Sequence, residues 1–299
     1  MRKNERILVI FNMSSGTFSK VGAISIIFQK LCKHFNTVSL INSNSPSQGA
    51  ELARQALDQF DIIAAFGGDG TINSVASALV NTGKTLGILP GGSGNGLARN
   101  LNIPVSWRRA LDTLIDGKDI TFDSGRINNR FFLNVAGIGL DGLIARKFNE
   151  ETKARGLAAY MYHFIRSYAE MPIFPVDIVT GGVTTSVDIV ITAFANFREY
   201  GNKAIIAPFA SPIDRLLDIC VISRFNRITD SIYIKNLFTG KINRVPFYKT
   251  MHFDNCEIIS RCGGIPFHFD GEYGGEDPER FKINVLPESI KIRVPVLHQ

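Results

Sequence analysis

The first 120 residues alternate short apolar runs with stretches whose apolar side chains repeat every three or four positions. A continuous apolar run predicts a strand covered on both faces, and the three-to-four repeat predicts an amphipathic helix. The runs predicted as strands are RILVIFN, TVSLIN, DIIAAFG and TLGILP, at 6–12, 37–42, 61–67 and 85–90. Because strands that alternate with helices form parallel sheets, we expect a three-layer α/β domain with a mostly parallel sheet.

From about residue 121 the pattern changes to short runs rich in β-branched and aromatic residues, bounded by turns. Two runs flank Gly181-Gly182, which predicts a hairpin because glycine adopts the positive φ angles of tight turns. RFFLNVAGIG and HFDNCEIIS are each predicted as one run. Helices are predicted at roughly 141–170 and 229–239, the second with Thr229 as its N-cap and Gly240 at its end. The remainder is therefore expected to be mostly antiparallel β structure.

This change of pattern divides the chain into two predicted domains, residues 1–122 and 123–299. The C-terminal tail, SIKIRVPV, is a candidate to pack back onto the first domain. No apolar run reaches the roughly 18 residues that span a bilayer, and the N-terminal run lacks a signal-peptide cleavage site. Four cysteines and five histidines at spacings that match no metal motif favour free thiols in a reducing cytoplasm and no zinc site.

Three polar or glycine-rich loops, NMSSG, GGDGT and GGSGN, follow predicted strands. Ligands of parallel sheets bind at the loops beyond the strands' carboxyl ends. Glycines let the backbone close on a phosphate, and a helix N-terminus, such as the one predicted directly after GGDGT, attracts anions. The sequence lacks both a G-x-x-x-x-G-K-[ST] loop and a G-x-G-x-x-G after the first strand. We therefore expect a nucleotide held by backbone amides, small hydroxyls and side-chain amides.

The ordered set GGDGT, PGGSGN, FLNVAGIGLD and FDGE spans nearly the whole chain and resembles the diacylglycerol kinase catalytic family. That family includes bacterial lipid kinases and the sphingosine and ceramide kinases. The resemblance implies an α/β nucleotide domain followed by a mostly antiparallel β-sandwich that binds lipid. It also implies an ATP- and Mg²⁺-dependent transfer of the γ-phosphate to a hydroxyl of a diacylglycerol- or sphingoid-type lipid.

The resemblance assigns roles to individual residues. Glu272, in the D-G-E of FDGE, would be the general base, and Asp69 would engage Mg²⁺ through water. Because these two carboxylates belong to different predicted domains, activity would require both domains. The residues that would contact ATP are Asn12, Ser14, Ser15, Gly16, Ser43, Asn44, Gly67, Gly68, Asp69, Gly70, Thr71, Ser93, Asn95 and Asp270.

Two further stretches resemble parts of this family. APFASPIDRLLDICV resembles a loop that binds a structural divalent ion in some bacterial relatives, with Asp214 as carboxylate and Ser211 and Leu216 as carbonyl ligands. Arg215 stands where those relatives have glycine. GSGNGLA, with Gly96, is closer to the GSGNALA of sphingosine kinases than to the diacylglycerol type, which favours a sphingoid or other long-chain alcohol without naming the lipid.

Three other functions compete with a lipid kinase. NAD kinases share GGDGT and a related two-domain plan, but lack the PGGSGN and FDGE pattern found here. A non-catalytic lipid- or nucleotide-binding protein could lose its carboxylates, whereas Asp69 and Glu272 are both present. The net charge of +6 and the pI near 9.2 accompany no nucleic-acid motif, so a nucleic-acid partner is not expected.

The stretch from Arg224 to Lys249 combines basic and apolar residues, which predicts a peripheral membrane surface facing anionic lipid. A core helix whose lysines extend to solvent is the alternative. The expected location is the cytoplasm, at the inner face of the membrane, and the sequence leaves a homodimer open. The basic members are Arg224, Arg227, Lys235, Lys241, Arg244 and Lys249, against Asp230, and the apolar members are Ile232, Tyr233, Ile234, Leu237, Phe238, Phe247 and Tyr248.

Overall fold

The computed structural model describes residues 4–12, 21–151, 172–200, 204–224, 226, 230–275 and 278–296. The chain forms two compact units. Unit 1 consists of Met1–Phe122 and Glu288–Gln299, and unit 2 consists of Asp123–Pro287.

Unit 1 is built on a parallel sheet. Its strands are β1 (Arg6–Phe11), β2 (Thr37–Asn42), β3 (Ile62–Gly67), β4 (Thr85–Pro90) and the last part of β15 (Arg280–Val294), in the order β15-β4-β3-β1-β2. All four neighbouring pairs are parallel. The helices are α1 (Val21–Leu31), α2 (Pro46–Gln55), α3 (Asp69–Leu79), α4 (Gly96–Asn100) and α5 (Trp107–Asp116). Strands β1 to β4 agree with the four predicted runs to within one residue at their ends.

Local chemistry explains where these elements begin. Strands β3 and β4 are buried along their whole length, as their continuous apolar sequences predict. Helix α2 begins at Pro46, and the Gln48 amide donates to the Ser45 hydroxyl at 3.2 Å. A serine N-cap followed by proline is a favoured helix start, because the serine oxygen satisfies an amide that has no partner within the helix.

The last part of β15 is bound firmly into unit 1. Lys291 lies beside Thr85 of β4 in the parallel register, and the Asn81 amide donates to the Ser289 carbonyl at 2.7 Å. The side chain of Arg293 is fully buried, and its Nε and Nη2 donate to the two Asp119 oxygens at 2.6 and 2.9 Å. Because the guanidinium of Arg293 is buried, removing the Asp119 carboxylate would leave a buried charge with one partner fewer, which destabilises unit 1.

Unit 2 is mainly antiparallel. One path of neighbouring strands is β14-β13-β7-β9-β8-β12-β15, with β10 paired to β9 and β11 to β10. Its helices are α6 (Leu140–Glu151) and α7 (Ile234–Phe238). Its strands are β5 (Lys118–Ile127), which begins in unit 1, β6 (Arg130–Phe132), β7 (Val135–Gly139), β8 (Phe174–Thr180), β9 (Val183–Ala195), β10 (Leu217–Ser223), β11 (Tyr248–Phe253), β12 (Asn255–Ser260), β13 (Phe267–Phe269), β14 (Glu272–Gly275) and the first part of β15.

The hairpin predicted at Gly181-Gly182 is confirmed. Strands β8 and β9 pair from Phe174↔Ile189 to Thr180↔Val183, and the two glycines have φ angles of +56° and +77°. Both angles lie in the region that side chains with a Cβ adopt only at a cost. The turn therefore depends on these two residues being glycine.

Two runs predicted as single strands are each two strands. RFFLNVAGIG breaks after Phe132, because the amides of Leu133 and Asn134 donate to the carboxylate of Asp270 rather than to a strand. HFDNCEIIS breaks at Asp254, whose carboxylate accepts from the Asn255 amide at 2.7 Å. Such side-chain acceptors compete with the strand ladder for backbone donors.

The two predicted helices of unit 2 are only partly as expected. The segment predicted as a helix at 229–239 is a 3-10 turn (Asp230–Tyr233) followed by the short α7. The prediction of one continuous helix was therefore wrong. Gly240 has a φ of +68° and ends α7 as predicted, because glycine readily takes the left-handed conformation of a helix C-terminus. Thr229 lies outside the described residues. Of the helix predicted at 141–170, α6 accounts for the first part, and residues 152–171 lie outside the described residues.

Candidate active site

The two glycine loops of unit 1 lie side by side. GGDGT joins the end of β3 to the start of α3, and GGSGN follows β4, which neighbours β3 in the sheet. The Gly91 amide donates to the Gly67 carbonyl at 2.7 Å, which ties the two loops together where their strands end. The strand order thus brings two loops that are separated in sequence to one edge of the sheet.

The loops approach each other so closely that side chains would not fit. A Cβ on Gly92 would lie 2.6 Å from the Cα of Gly68, and one on Gly94 would lie 3.0 Å from Asp69 Oδ2. A Cβ on Gly67 would lie 2.6 Å from the hydroxyl oxygen of Thr71. The glycines therefore let the two loops lie backbone to backbone, because a side chain at these positions would collide with the neighbouring loop.

Asn95 holds the second loop in shape. Its φ angle is +52°, and its buried side-chain amide accepts from the Gly92 amide at 3.0 Å and donates to the Gly92 carbonyl at 2.8 Å. Asparagine tolerates the left-handed conformation better than most residues because its side chain bonds to nearby backbone. Ser93, at the tip of the same loop, is exposed.

Asn12 and Ser43, the residues that directly follow β1 and β2, lie at the same edge of the sheet. The Asn12 amide donates to the Phe66 carbonyl at 3.4 Å, immediately before Gly67, and the Ser43 amide donates to the Phe11 carbonyl at 2.8 Å. Asn12 and Ser43 are buried, whereas Asn44 is exposed. The structure therefore places Asn12 and Ser43 close to the first glycine loop. Ser14, Ser15 and Gly16 lie outside the described residues.

Helix α3 gives this edge its electrostatic character. The helix begins at Asp69, and its N-cap Gly68 contributes no side-chain hydrogen bond. The first amides of a helix have no partner within it, and the helix dipole adds partial positive charge there. A helix N-terminus that follows a glycine-rich loop is an arrangement with which proteins bind phosphate groups.

Asp69 is the carboxylate available for a metal ion at this edge. It lies in the first turn of α3 and is partly exposed. Across the described residues, no cluster of three or more His, Cys, Asp or Glu side chains could hold a metal ion without help from a ligand. One carboxylate nevertheless fits Mg²⁺, which usually keeps several waters and takes its other ligands from substrate phosphates.

In unit 2, the D-G-E turn joins β13 to β14. Asp270 and Gly271 have φ angles of +49° and +84°, and the carboxylate of Asp270 accepts from three backbone amides. These are the amides of Leu133, Asn134 and Val135, at 2.7, 2.8 and 3.0 Å. Asp270 thereby anchors the turn to the segment between β6 and β7. Its predicted contact with ATP stays a prediction.

Glu272 begins β14 and lies opposite Phe269 in the β13–β14 pairing. Burial raises the pKa of its carboxyl, and the nearby negative charge of Asp270 raises this pKa further. The positive charge of Arg130 opposes both effects, and its guanidinium lies over the Phe269 ring at 5.6 Å. A carboxylate with a raised pKa is a stronger proton acceptor than an ordinary glutamate.

A buried polar group beside this turn was not expected from the sequence. His268 is buried, its Nδ1 accepts from the Gly271 amide at 3.4 Å, and its Nε2 lies 3.4 Å from Asp141 Oδ2. The hydroxyl of Tyr200 also donates to Asp141 Oδ2. A Cβ on Gly137 would lie 2.7 Å from His268 Nε2, so the glycine makes room for the ring. Asp141 belongs to the FLNVAGIGLD motif, but no sequence signal pointed to His268 or Tyr200.

The loop predicted to bind a structural ion offers few ligands. Asp214 is exposed, and its Oδ1 accepts from the Leu216 amide at 3.1 Å. Arg215 has a φ of +65°, the conformation that glycine takes easily, and its amide donates to Asp123 Oδ2 at 2.7 Å. Asp123 therefore brings a second carboxylate to this loop. The structural ion at Ser211, Asp214 and Leu216 stays a prediction.

Comparison with known proteins settles the family. The family model described as the diacylglycerol kinase catalytic domain matches residues 6–127. The model described as the YegS C-terminal NAD kinase beta sandwich-like domain matches residues 134–294. The chain belongs to the diacylglycerol kinase catalytic family. The predicted family and fold class, an α/β domain followed by an antiparallel β-sandwich, are confirmed.

Relatives of this diacylglycerol kinase family member extend over its whole length. A diacylglycerol kinase of Mycobacterium tuberculosis is 26% identical and aligns over 99% of this chain and 97% of its own. The crystal structure of a diacylglycerol kinase from Bacillus anthracis has a TM-score of 0.76 at 19% identity, covering 98% of both chains. An NAD kinase from Archaeoglobus fulgidus, solved in complex with ATP, has a TM-score of 0.54 at 14% identity, covering 96% and 93%. The two structures show a shared fold.

Proposed function

We propose that this chain is a lipid kinase that transfers the γ-phosphate of ATP to a hydroxyl of a diacylglycerol- or sphingoid-type lipid. It would use Mg²⁺ and act in the cytoplasm at the inner face of the membrane. One observation carries the proposal: the chain combines two glycine loops that meet at the N-terminus of α3 with a carboxylate of raised pKa on the D-G-E turn. These are the two elements that phosphoryl transfer to an alcohol requires.

The roles of the residues follow from the chemistry of this transfer. The amides of the two glycine loops and of the first turn of α3 would bind the phosphates and offset their charge. Mg²⁺, when bound, would offset further phosphate charge, with Asp69 holding it through water. Glu272 would take the proton of the acceptor hydroxyl. At the same time the hydroxyl oxygen would form a bond to the γ-phosphorus of ATP, and the bond between that phosphorus and the oxygen of ADP would break.

A screen of acceptors tests this proposal. The purified chain is supplied with ATP and Mg²⁺ and offered diacylglycerol, a sphingoid base, ceramide, phosphatidylglycerol or NAD. We expect phosphate transfer to at least one of the lipids. Transfer to NAD alone would replace the lipid assignment with the NAD kinase alternative, and transfer to none would favour a non-catalytic binding protein.

The Asp69→Ala variant tests the metal role. We expect the variant to need a much higher Mg²⁺ concentration for half-maximal rate, because its proposed partner is the metal rather than the acceptor hydroxyl. Titrating Mg²⁺ at saturating ATP measures the shift. Asp58→Ala is a matched control, since Asp58 is an exposed aspartate of the same unit. A Mg²⁺ response of Asp69→Ala equal to that of wild type would remove Asp69 from this role.

The Arg130→Gln variant tests how Glu272 is tuned. Arg130 lowers the pKa of the Glu272 carboxyl, so removing its charge raises this pKa further. A general base works only when deprotonated, so kcat/KM should begin to fall at a higher pH in the variant as the solution is acidified. Arg126→Gln, an exposed arginine of the neighbouring strand β5, is the control. If kcat/KM of Arg130→Gln and wild type fell at the same pH on the acidic side of the profile, the assignment of Glu272 as the base would be contradicted.

A further inference from the structure

We infer that the segment from Ile232 to Arg244 forms a membrane-docking face, made of two exposed apolar side chains and three exposed cations. The inference rests on the proposed lipid kinase function for its biological sense. It concerns a surface distinct from the glycine loops and the D-G-E turn. In the stretch from Arg224 to Lys249, some apolar side chains pack into the core of unit 2, whereas others are exposed beside basic side chains.

The inward residues belong to the core of unit 2. Tyr233, Leu237 and Phe247 pack against a buried cluster that includes Ile242 and Tyr248. The rings of Tyr233 and Phe247 meet edge to face, with centroids 5.7 Å apart. The hydroxyl of Tyr248 donates to the Ile206 carbonyl at 2.8 Å. These five aromatic and aliphatic side chains anchor the segment and are not available to a membrane.

The outward residues follow helical spacing. Ile232, Lys235 and Phe238 are three positions apart, which places successive members on one side of a helical turn, whereas Tyr233 and Leu237 point to the core. Ile232 is 60% exposed and Phe238 is 38% exposed. Exposed apolar side chains grouped on one face mark an interaction surface more often than isolated ones do.

The chain then turns back so that two more cations follow α7 directly. At the end of α7, the Lys241 amide donates to the Asn236 carbonyl at 3.0 Å, and the Arg244 amide donates to the Lys241 carbonyl at 3.0 Å. Lys235, Lys241 and Arg244 are exposed, and none of the carboxylates whose side chains the structure describes, which excludes Asp230, pairs with them. Arg227 and the side chain of Ile234, also part of the predicted stretch, lie outside what the structure describes.

This combination of charge and exposed apolar surface fits an anionic lipid bilayer. The cations are attracted to anionic headgroups within a Debye length of about 8 Å at physiological salt. Once the surface is reached, Ile232 and Phe238 can insert below the headgroups, as the apolar face of an interfacial helix does. Nucleic acid offers the same anionic charge, but its phosphate backbone offers no apolar layer for these two side chains. The occupant we assign is therefore the membrane.

Vesicle binding tests the face. Phosphatidylcholine vesicles with and without phosphatidylglycerol are mixed with wild type, with the triple variant Lys235→Gln/Lys241→Gln/Arg244→Gln and with the double variant Ile232→Ser/Phe238→Ser. We expect wild type to bind the anionic vesicles and to bind them more weakly as salt rises. The triple variant should bind about a hundredfold more weakly at low salt, and the double variant about tenfold more weakly at all salt concentrations.

Two controls separate this face from charge in general and from the catalytic proposal. Lys33→Gln/Lys118→Gln/Lys282→Gln removes three exposed lysines elsewhere and should bind vesicles like wild type. Turnover on a lipid acceptor dispersed in non-ionic detergent should be unchanged in the triple and double variants. A wild type that binds vesicles through this face but phosphorylates no lipid would support the face and overturn the lipid kinase proposal.

Three results would overturn the face itself. The first is equal binding of wild type and the triple variant to anionic vesicles at low salt. The second is an equal loss of binding in the control triple variant. The loss would then be explained by the lower net charge of the protein and not by this face. The third is tighter binding of wild type to a DNA or RNA duplex than to the vesicles, with no loss in Ile232→Ser/Phe238→Ser. That result would identify the stretch as a nucleic-acid surface.

Discussion

Replacing Glu272 with glutamine is expected to lower kcat by about 10²- to 10⁴-fold while the protein still binds ATP. Glutamine has nearly the same shape but cannot accept the proton of the acceptor hydroxyl. Single-turnover measurements at saturating ATP and acceptor would report the loss in the chemical step itself. Glu279→Gln, at an exposed glutamate of the same unit, is the matched control. A rate constant of Glu272→Gln equal to that of wild type would eliminate Glu272 as the base.

The same substitution should stabilise the protein at neutral pH. Burial and the charge of Asp270 raise the pKa of the Glu272 carboxyl in the folded state, despite the opposing charge of Arg130. The folded state therefore favours the protonated form, so stability is lost as the pH rises from the unfolded-state pKa through the folded-state pKa. Glutamine removes this loss. We expect a higher Tm than wild type at neutral pH and a difference that shrinks at acidic pH, as measured by thermal unfolding.

Replacing Asp270 with alanine is expected to have the largest effect on stability. Its carboxylate accepts from three consecutive backbone amides, those of Leu133, Asn134 and Val135. Each buried donor left without an acceptor costs about 1–3 kcal/mol, so the free energy of unfolding should fall by about 3 kcal/mol or more. Denaturant unfolding of the variant measures this loss.

Asp270→Asn provides the internal comparison for this prediction. Asparagine keeps one oxygen acceptor in nearly the same place but loses the negative charge and the second oxygen. We expect its loss of stability to be smaller than that of Asp270→Ala. If the alanine variant unfolded at the same denaturant concentration as wild type with an unchanged slope, the carboxylate would not be the anchor of the D-G-E turn.

The sequence predicted unit 1 better than unit 2, and the reason is the range of the interactions. Strands β2 and β4 have the predicted bounds, because an apolar run between polar loops carries its own limits. The break after Phe132 is different, since the acceptor that causes it, Asp270, lies 137 positions from Leu133 along the chain. No local pattern reveals such a partner, so the break was missed.

The residues of the candidate site also differ in how well the sequence predicted them. The glycine loops and the D-G-E turn are contiguous motifs, and the family resemblance pointed to them directly. Asp141, Tyr200 and His268 come from three distant segments and meet only in the folded unit. In the stretch from Arg224 to Lys249, α7 is only five residues long, too short for the sequence pattern to separate its inward from its outward side chains.

The path of β15 has a consequence for folding during synthesis. Residues 1–122 leave the ribosome first, yet β4 gains its last neighbour, and Asp119 its partner Arg293, only from residues 288–294. Domains generally fold as units in the order of their synthesis. Here the unit that is translated first is completed last, after all of unit 2 has been made. A chain truncated before Glu288 would therefore contain all of unit 2 but an incomplete unit 1.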